Sequence, residues 1–520
     1  MGPETVDTRW GGIGRRRLLE GTAGMAVAAL TPLRAQAQPK RGGTARIAMG
    51  HGNTADGYDP GTWDNAYAQV FAAARNCQLT EITADGKLVG EIAESWGSSP
   101  DAKTWTLKIR KGVEFHGGKP LTTDDVVASI NYHRGPESKS AAKPIVAAVD
   151  DVRSDGQNVV ITLSASNSGF AWFLSDYHLA ILPGKDGKID PTSSEGCGGY
   201  KVKSYQPGVL AQVERFANYW KPDRAHFDAI ELRPVLDAAA RTNALITGQV
   251  DIIDPVELST AALLKRAPRV KILNIAGNQQ FCFPMDTRTA PFNDNNVREA
   301  LKYAVDRQEL VDKVLSGYGT VGNDHPIGTS SPDFDPGLAQ KTYDPDKAKY
   351  FLKQAGLDTL QVELSASDAA FGGAVNAAIL YSERAAKAGI KINVVREPSD
   401  GYWANVWMKK PFVASYWGGR PLADWMYATA YSDGAPWNES FWSNDKFNKL
   451  LLEARSETNE TKRHAMYAEM QAIVANEGGT VIPVFANYVT GISDKVMHPE
   501  KIAANWTLDG FRAVERWWLA

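Results

Sequence analysis

At 520 residues the chain is several times the usual domain length, so two or more lobes, each burying its own core, are expected. The composition is that of a globular protein, with 43% hydrophobic and 22% charged residues. A net charge of -3 leaves recognition of nucleic acid or an anionic membrane by general charge attraction without a basis.

The first forty residues read as an export signal. "GRRRLLEGTAGMAVAALTPLRAQAQ" has a basic start at Arg15, Arg16 and Arg17, an apolar run from Gly21 to Leu30 and a small-x-small site at Ala35-Gln36-Ala37. The run is too short to span a bilayer, and residues 1–37 are therefore expected to be cleaved. "RRRLL" resembles the twin-arginine export consensus, with Glu20 in place of its frequent lysine. No cysteine follows the run, so lipid attachment at the cleavage site has no acceptor. Cys77, Cys197 and Cys282 are an odd set at wide spacing, which is no disulfide framework. One bridge with one free thiol and three buried thiols both remain open.

Along the chain, "GTARIAMG" predicts a first strand, and the Gly/Asp/Pro-rich "GNTADGYDPGTWDNAY" a loop at its carboxyl end. "KTWTLKIRKGVEF" puts Trp105, Leu107 and Ile109 on one face of a strand. "LTTDDVVASINYH" switches to helix, with Thr122 and Asp125 spaced as a capping box. "NVVITL" predicts another strand, and "DAAARTNALITGQVDII" a helix capped by Asp237, ended near Gly248 and followed by a buried strand. In the second half, "NDNNVREALKYAVDRQELVDKVLSGYG" carries one apolar stripe, Val297, Leu301, Ala304, Val305 and Leu310, up to Gly317. "YDPDKAKYFLKQAG" has Asp344 as cap, Pro345 in the first turn and Gly356 as stop. "LQVELSAS" and "IKINVVRE" flank a helix around residues 374–388, a β-α-β unit. Helices Asp445–Ser456 and Glu460–Asn476 then lead into the strand "TVIPVFAN".

Enzymatic constellations are missing from this inventory. The eight histidines are dispersed, no pair has the i, i+4 spacing of a zinc helix, and no G-x-S-x-G elbow, P-loop or dinucleotide fingerprint occurs. No catalytic residue, metal ligand or cofactor is therefore assigned. Aromatic residues point elsewhere, because nine of the fifteen tryptophans fall between Trp403 and Trp518. Several of them sit among Gly, Pro, Asn and Ser, as in the wall of a small-molecule pocket.

The stretch "IAESWGSSPDAKTWTLKIRKGVEFHGGKPLTTDDVVASI" resembles the signature region of the family 5 extracellular solute-binding proteins, the periplasmic receptors of ABC importers. "GGYKVKSYQPGVLAQVERFANYWKP", "ALITGQVDII", "FPMDTRTAPFNDNNVREALKYAVDRQELV", "YDPDKAKYFLKQAG" and "KRHAMYAEMQAIVANEGGTVIPVF" resemble its other blocks in the same order. The resemblance implies an α/β, two-lobed periplasmic binding protein (type II, large cluster-C-like) with an extra subdomain inserted in lobe I. The implied boundaries are lobe I over 38–280, with the subdomain at about 86–199, lobe II over 281–484, and a return to lobe I over 485–520. It further implies a periplasmic monomer that captures a small-molecule or peptide ligand by hinge closure and delivers it to an ABC transporter permease in the inner membrane.

In peptide-binding members of that family an aspartate shortly after a W-x-G pairs with the ligand's α-ammonium. The matching stretch here is "YWGGRPLADW", with Trp417, Gly418, Gly419, Arg420, Asp424 and Trp425 as candidate ligand residues. If Asp424 reaches the cleft the ligand carries an amine; if Arg420 does, it carries a carboxylate. Alternatively the two pair with each other and only fix the loop. Trp403 is a further candidate wall, and Tyr58, Asp59 and Trp63 are candidates from the first loop. An oligosaccharide receptor of the same fold and an exported hydrolase with an unrecognised carboxylate pair are the competing functions.

Overall fold

A computed structural model describes residues 39–398 and 402–520; the predicted export signal lies outside the described residues. The centre is a nine-stranded mixed sheet. Its first strand, Thr44–Met49, runs parallel to both Ala229–Pro234 and Ile252–Asp254. A near-continuous apolar sequence suits it, since only Thr44 at its start is exposed. Residues Tyr200–Gln206 and Leu210–Arg215 extend the sheet on one side.

On the other side two long antiparallel strands, Val270–Pro284 and Thr480–Ser493, run from the pairing Val270↔Ser493 to Pro284↔Thr480. Their register shifts between Ile275 and Gln279, where a side chain at Gly277 would collide with the Tyr488 ring at 2.3 Å. This pair connects two separate sets of apolar clusters. One set, around Ile47, Phe71, Phe115, Ile161 and Trp517, belongs to residues 45–264 and 489–517 apart from Tyr318, and the other, around Phe283, Leu301, Tyr381 and Met470, to residues 282–486. The two-lobed α/β architecture follows from that segregation.

Local elements match the sequence signals closely where caps are present. Strand Thr104–Ile109 buries Trp105, Leu107 and Ile109 within the four-stranded sheet Ala93–Ser98, Thr104–Ile109, Asn158–Leu163, Val149–Asp155. Helix Thr123–Tyr132 starts at the Thr122/Asp125 capping box. Strands Leu360–Ala366 and Ile390–Arg396 pair in parallel around helix Ala374–Ala385. The expected single helix up to Gly317 is instead two, Asn295–Tyr303 and Arg307–Lys313. Asp306 breaks it by turning its carboxylate onto the Glu309 N–H, which caps a new helix.

A buried charge network ties the C-terminal segment to lobe I. Lys221 Nζ lies 2.7 Å from Glu81 and 2.6 Å from Glu91, while Arg512 reaches Glu91 at 2.7 Å and Glu515 at 3.2 Å. Arg516 pairs with Glu81 at 2.7 Å and Asp509 at 2.9 Å. Burial alone would push the Glu81 carboxyl up, but Lys221, Arg512 and Arg516 hold it well below the usual range.

Candidate functional site

Strand Ser415–Trp417 is the terminal strand of the large sheet, paired to Val270–Pro284 through Gln280↔Trp417 and Phe281↔Tyr416. Alternation sends Tyr416 and Trp417 to opposite faces, so Trp417 is buried and Tyr416 is 41% exposed. The Trp417 indole N–H donates to Glu439 Oε1 at 2.9 Å, and Trp407 and Ser415 donate to Oε2 at 2.6 Å each. Trp417 therefore belongs to the core beneath the site, in the cluster with Met426, Tyr427 and Trp442. Glu439, which organises these donors, carried no sequence signal.

The chain then turns. Gly419 has φ +74, and a Cβ there would meet the Asn278 carbonyl oxygen at 2.6 Å, so the close approach that requires glycine is to the protein's own backbone. A Cβ on Gly418 would meet nothing within 4 Å. The Gly418 carbonyl accepts from Tyr488 Oη at 3.2 Å, across from the Asn505 carbonyl at 3.5 Å from the same hydroxyl.

Arg420 is partly buried, donates Nη1 to the Gly419 carbonyl at 2.8 Å and lies 5.8 Å from the Trp425 ring centroid. Among the described residues it forms no ion pair. Burial pushes up the phenols of Tyr177, Tyr416 and Tyr488, and the Arg420 charge pulls each back. These tyrosines come from distant parts of the chain: Tyr177 packs with Trp506 and Phe511 of the C-terminal segment, and Tyr416 is in the second lobe. Tyr177 and Tyr488 were not legible as site residues, because no local pattern marks a tyrosine that meets its neighbours only through the fold.

Helix Ala423–Ala430 follows. Asp333 caps it, accepting from the Ala423 N–H at 2.9 Å. Asp424 is buried and accepts from Arg455 Nε at 2.7 Å, so the alternative in which it pairs with Arg420 does not occur. Trp425 is buried with its ring stacked on Phe173 of the first lobe, 4.7 Å between centroids at 27°. Beside it the Ser168 N–H donates to the Arg455 carbonyl at 2.7 Å, a direct lobe-to-lobe contact. Trp425 thereby lies at the contact between the lobes, and Asp424 holds Arg455, whose carbonyl makes the second contact.

In the first loop, Asp59 Oδ1 accepts from the Gly61 N–H at 2.7 Å and from Tyr132 Oη at 2.6 Å. Trp63 is 1% exposed and gives its indole N–H to the Gly57 carbonyl at 3.1 Å. Tyr58 packs on Phe71, Tyr205 and the Arg75 guanidinium, 4.8 Å from its ring centroid. Capping within the loop and contacts to Tyr132 and Tyr205 engage these residues and shape the loop. In the second lobe, Trp403 is 40% exposed and meets Tyr416 edge-on at 5.6 Å, while Trp437, 46% exposed, leans on Trp417.

Glu81, Glu91 and Glu515 offer carboxylate oxygens within 4.8 Å of one another, a spacing that would suit a metal ion. Lys221 and Arg512 already compensate them at hydrogen-bond distance, so the donors fit a structural ion network and not a vacant metal centre. Among the described residues no helix is long and apolar enough to cross a membrane.

Comparison with known proteins agrees with this architecture. Residues 87–439 match the profile of the bacterial extracellular solute-binding proteins, family 5 Middle. The glutathione-binding protein GsiB of Pectobacterium atrosepticum is 25% identical over 439 residues, covering 81% of this chain and 84% of that one. Among solved structures, the PBP AgaA from A. tumefaciens R10 in complex with agropinic acid superposes with TM-score 0.76 at 23% identity, covering 92% of this chain and 99% of its own. The ABC transporter substrate binding protein CtaP from Listeria monocytogenes gives TM-score 0.80 at 20% identity, covering 92% and 100%.

Proposed function

Since this chain belongs to the bacterial extracellular solute-binding proteins of family 5, we propose that it captures a small peptide or amino-acid-derived solute bearing a carboxylate, and presents it to an ABC transporter permease. It is a binding protein and not an enzyme. The observation that carries the ligand class is the Arg420 cation. It has no acidic partner among the described residues, its charge opposes the upward shift of the Tyr177, Tyr416 and Tyr488 phenols, and it offers a planar fork suited to a carboxylate. Asp424, the acid that would hold an α-ammonium, is already engaged by Arg455. GsiB relatives are named for glutathione, which carries two carboxylates, and AgaA was solved with agropinic acid; both ligand chemistries accord with a cationic selector.

Ligand capture by such a site rests on hinge closure, in which contacts from both walls stabilise the closed state. We assign the crossings to Asn278–Asp286 and Pro483–Thr490, between lobe I (38–280 and 485–520) and lobe II (281–484). Tyr488 within the second crossing, bonded to Gly418, links the hinge to the site. Export to the periplasm by a cleaved segment 1–37, and a monomeric state, complete the proposal.

A second reading, an oligosaccharide receptor, is favoured by one observation: Trp403, Tyr416 and Trp437 expose aromatic faces on which a pyranose ring can stack. Calorimetric titration of the mature protein with short peptides, glutathione, opines and cello-oligosaccharides separates the two. The proposal expects saturable binding of free acids and at least tenfold weaker binding of their amides, about 1.4 kcal/mol. Preference for the sugars would favour the second reading, and turnover of any compound without binding would refute both.

A further inference from the structure

Cys77 and Cys197 lie 120 positions apart in sequence and side by side in the fold. The Cys77 thiol donates to the Cys197 carbonyl oxygen at 3.4 Å, and the Cys197 thiol to the Ile181 carbonyl at 3.8 Å. Ile181 in turn gives its N–H to the Cys77 carbonyl at 3.0 Å, and Gly198 its N–H to the Arg75 carbonyl at 2.7 Å. The two backbones touch because glycines flank Cys197: a Cβ on Gly196 would meet the Arg75 oxygen at 2.1 Å, and one on Gly198 the Arg75 carbonyl carbon at 2.4 Å. Both cysteines are fully buried in one apolar cluster, whereas Cys282 is buried in another, beside Glu439.

Their position gives the pair a purpose. The helix Ala66–Arg75 ends just before Cys77, and the strand Tyr200–Gln206 begins just after Cys197. The four-stranded sheet 93–163 and the helix Thr123–Tyr132 lie wholly between them. A bond between the two sulfurs would close the neck of this whole segment.

We propose that folding under oxidising conditions joins Cys77 and Cys197 in a disulfide that staples the neck of the 78–196 segment. The oxidant is a disulfide, either glutathione disulfide or a thiol–disulfide oxidoreductase. One cysteine thiolate attacks it, forming a mixed disulfide and releasing one thiol. The second cysteine then attacks the protein sulfur of that mixed disulfide and releases the other thiol. Two S–H bonds of the protein are replaced by one S–S bond, and the two electrons and two protons end on the reduced oxidant. Burial, and the Cys197 thiol beside it, raise the Cys77 thiol well above its ordinary value. Folded and reduced, Cys77 is therefore a poor nucleophile, and the bond forms as the neck closes.

The test is to denature and reduce the mature protein, refold it with glutathione disulfide, and alkylate in denaturant without reductant. The expected result is one modified cysteine, Cys282, and a non-reduced peptide map with Cys77 and Cys197 linked and two hydrogens lighter than the free peptides. Three alkylated cysteines, or a link involving Cys282, would overturn the proposal. As a second readout on the same chain, the oxidised form should melt about 5 °C or more above the reduced form. Cys77→Ser should abolish that difference; a difference surviving in this variant would also contradict the staple.

Discussion

Asp424 accepts from Arg455 Nε at 2.7 Å, whereas Arg420, only four positions before Asp424, makes no ion pair among the described residues. The acid of the loop is spent on structure and its cation is not. Burial pushes the Asp424 carboxyl up and Arg455 opposes that shift, so removing Arg455 strands a buried carboxylate. Arg455→Met is expected to cost about 2 kcal/mol in denaturant unfolding. Adding Asp424→Asn should recover part of the loss, and a double-mutant cycle with no coupling would show that the pair contributes nothing.

Trp417 is predicted to act on stability. Trp417→Phe keeps a ring but removes the N–H that Glu439 accepts, and should cost about 1–3 kcal/mol while leaving the ligand affinity of the folded protein unchanged. A loss of affinity at unchanged melting temperature would instead make Trp417 a ligand wall.

The adjacent glycines should separate cleanly. Gly419→Ala must hold a left-handed residue at roughly 1–2 kcal/mol and also displace the Asn278 backbone, so it should lower the melting temperature. Gly418→Ala points into open space and should fold like the wild type. Equal melting temperatures for the two variants would contradict this assignment.

Asp254 gives the protein a pH signature. Its Oδ2 accepts from Thr490 and Thr507 at 2.7 Å each, and burial pushes the carboxyl from 3.8 up to about 6 against those two bonds. The folded state thus binds this proton more tightly than the unfolded chain. The stability it contributes is complete below the ordinary carboxyl range and is lost as pH rises towards about 6. Asp254→Asn, which keeps an acceptor for the threonines, should match the wild type at low pH and exceed it above pH 6 by up to roughly 3 kcal/mol. Urea midpoints across that range would check this, and a constant difference would mean that the carboxyl titrates normally.

Legibility in the sequence followed the range of the interaction. The Thr122/Asp125 box, the Asp237 and Asp344 caps and the alternation of Trp105, Leu107 and Ile109 act within a few residues, and each was readable. The break at Asp306 was missed because the apolar stripe continues through it. At the candidate site, Gly418 and Arg420 stand in a dense local stretch that the sequence marks, whereas Tyr416 in the same stretch was not among the candidates. The partner of Asp424 is 31 positions away, Glu439 gathers Trp407, Ser415 and Trp417 from elsewhere, and Tyr177 and Tyr488 approach only in the fold. Trp63 illustrates the converse, since a tryptophan in a glycine-rich loop has the sequence of a pocket wall and the burial of a core residue.

The central claim is that Arg420 selects a carboxylate. Wild-type protein and Arg420→Ala should be titrated calorimetrically with the free-acid peptides, glutathione and opines of the panel and with the corresponding amides. The account predicts that Arg420→Ala binds the acid at least tenfold more weakly, about 1.4 kcal/mol, with the amide and the unliganded melting temperature unchanged. Equal affinity of both proteins for the acid would contradict it.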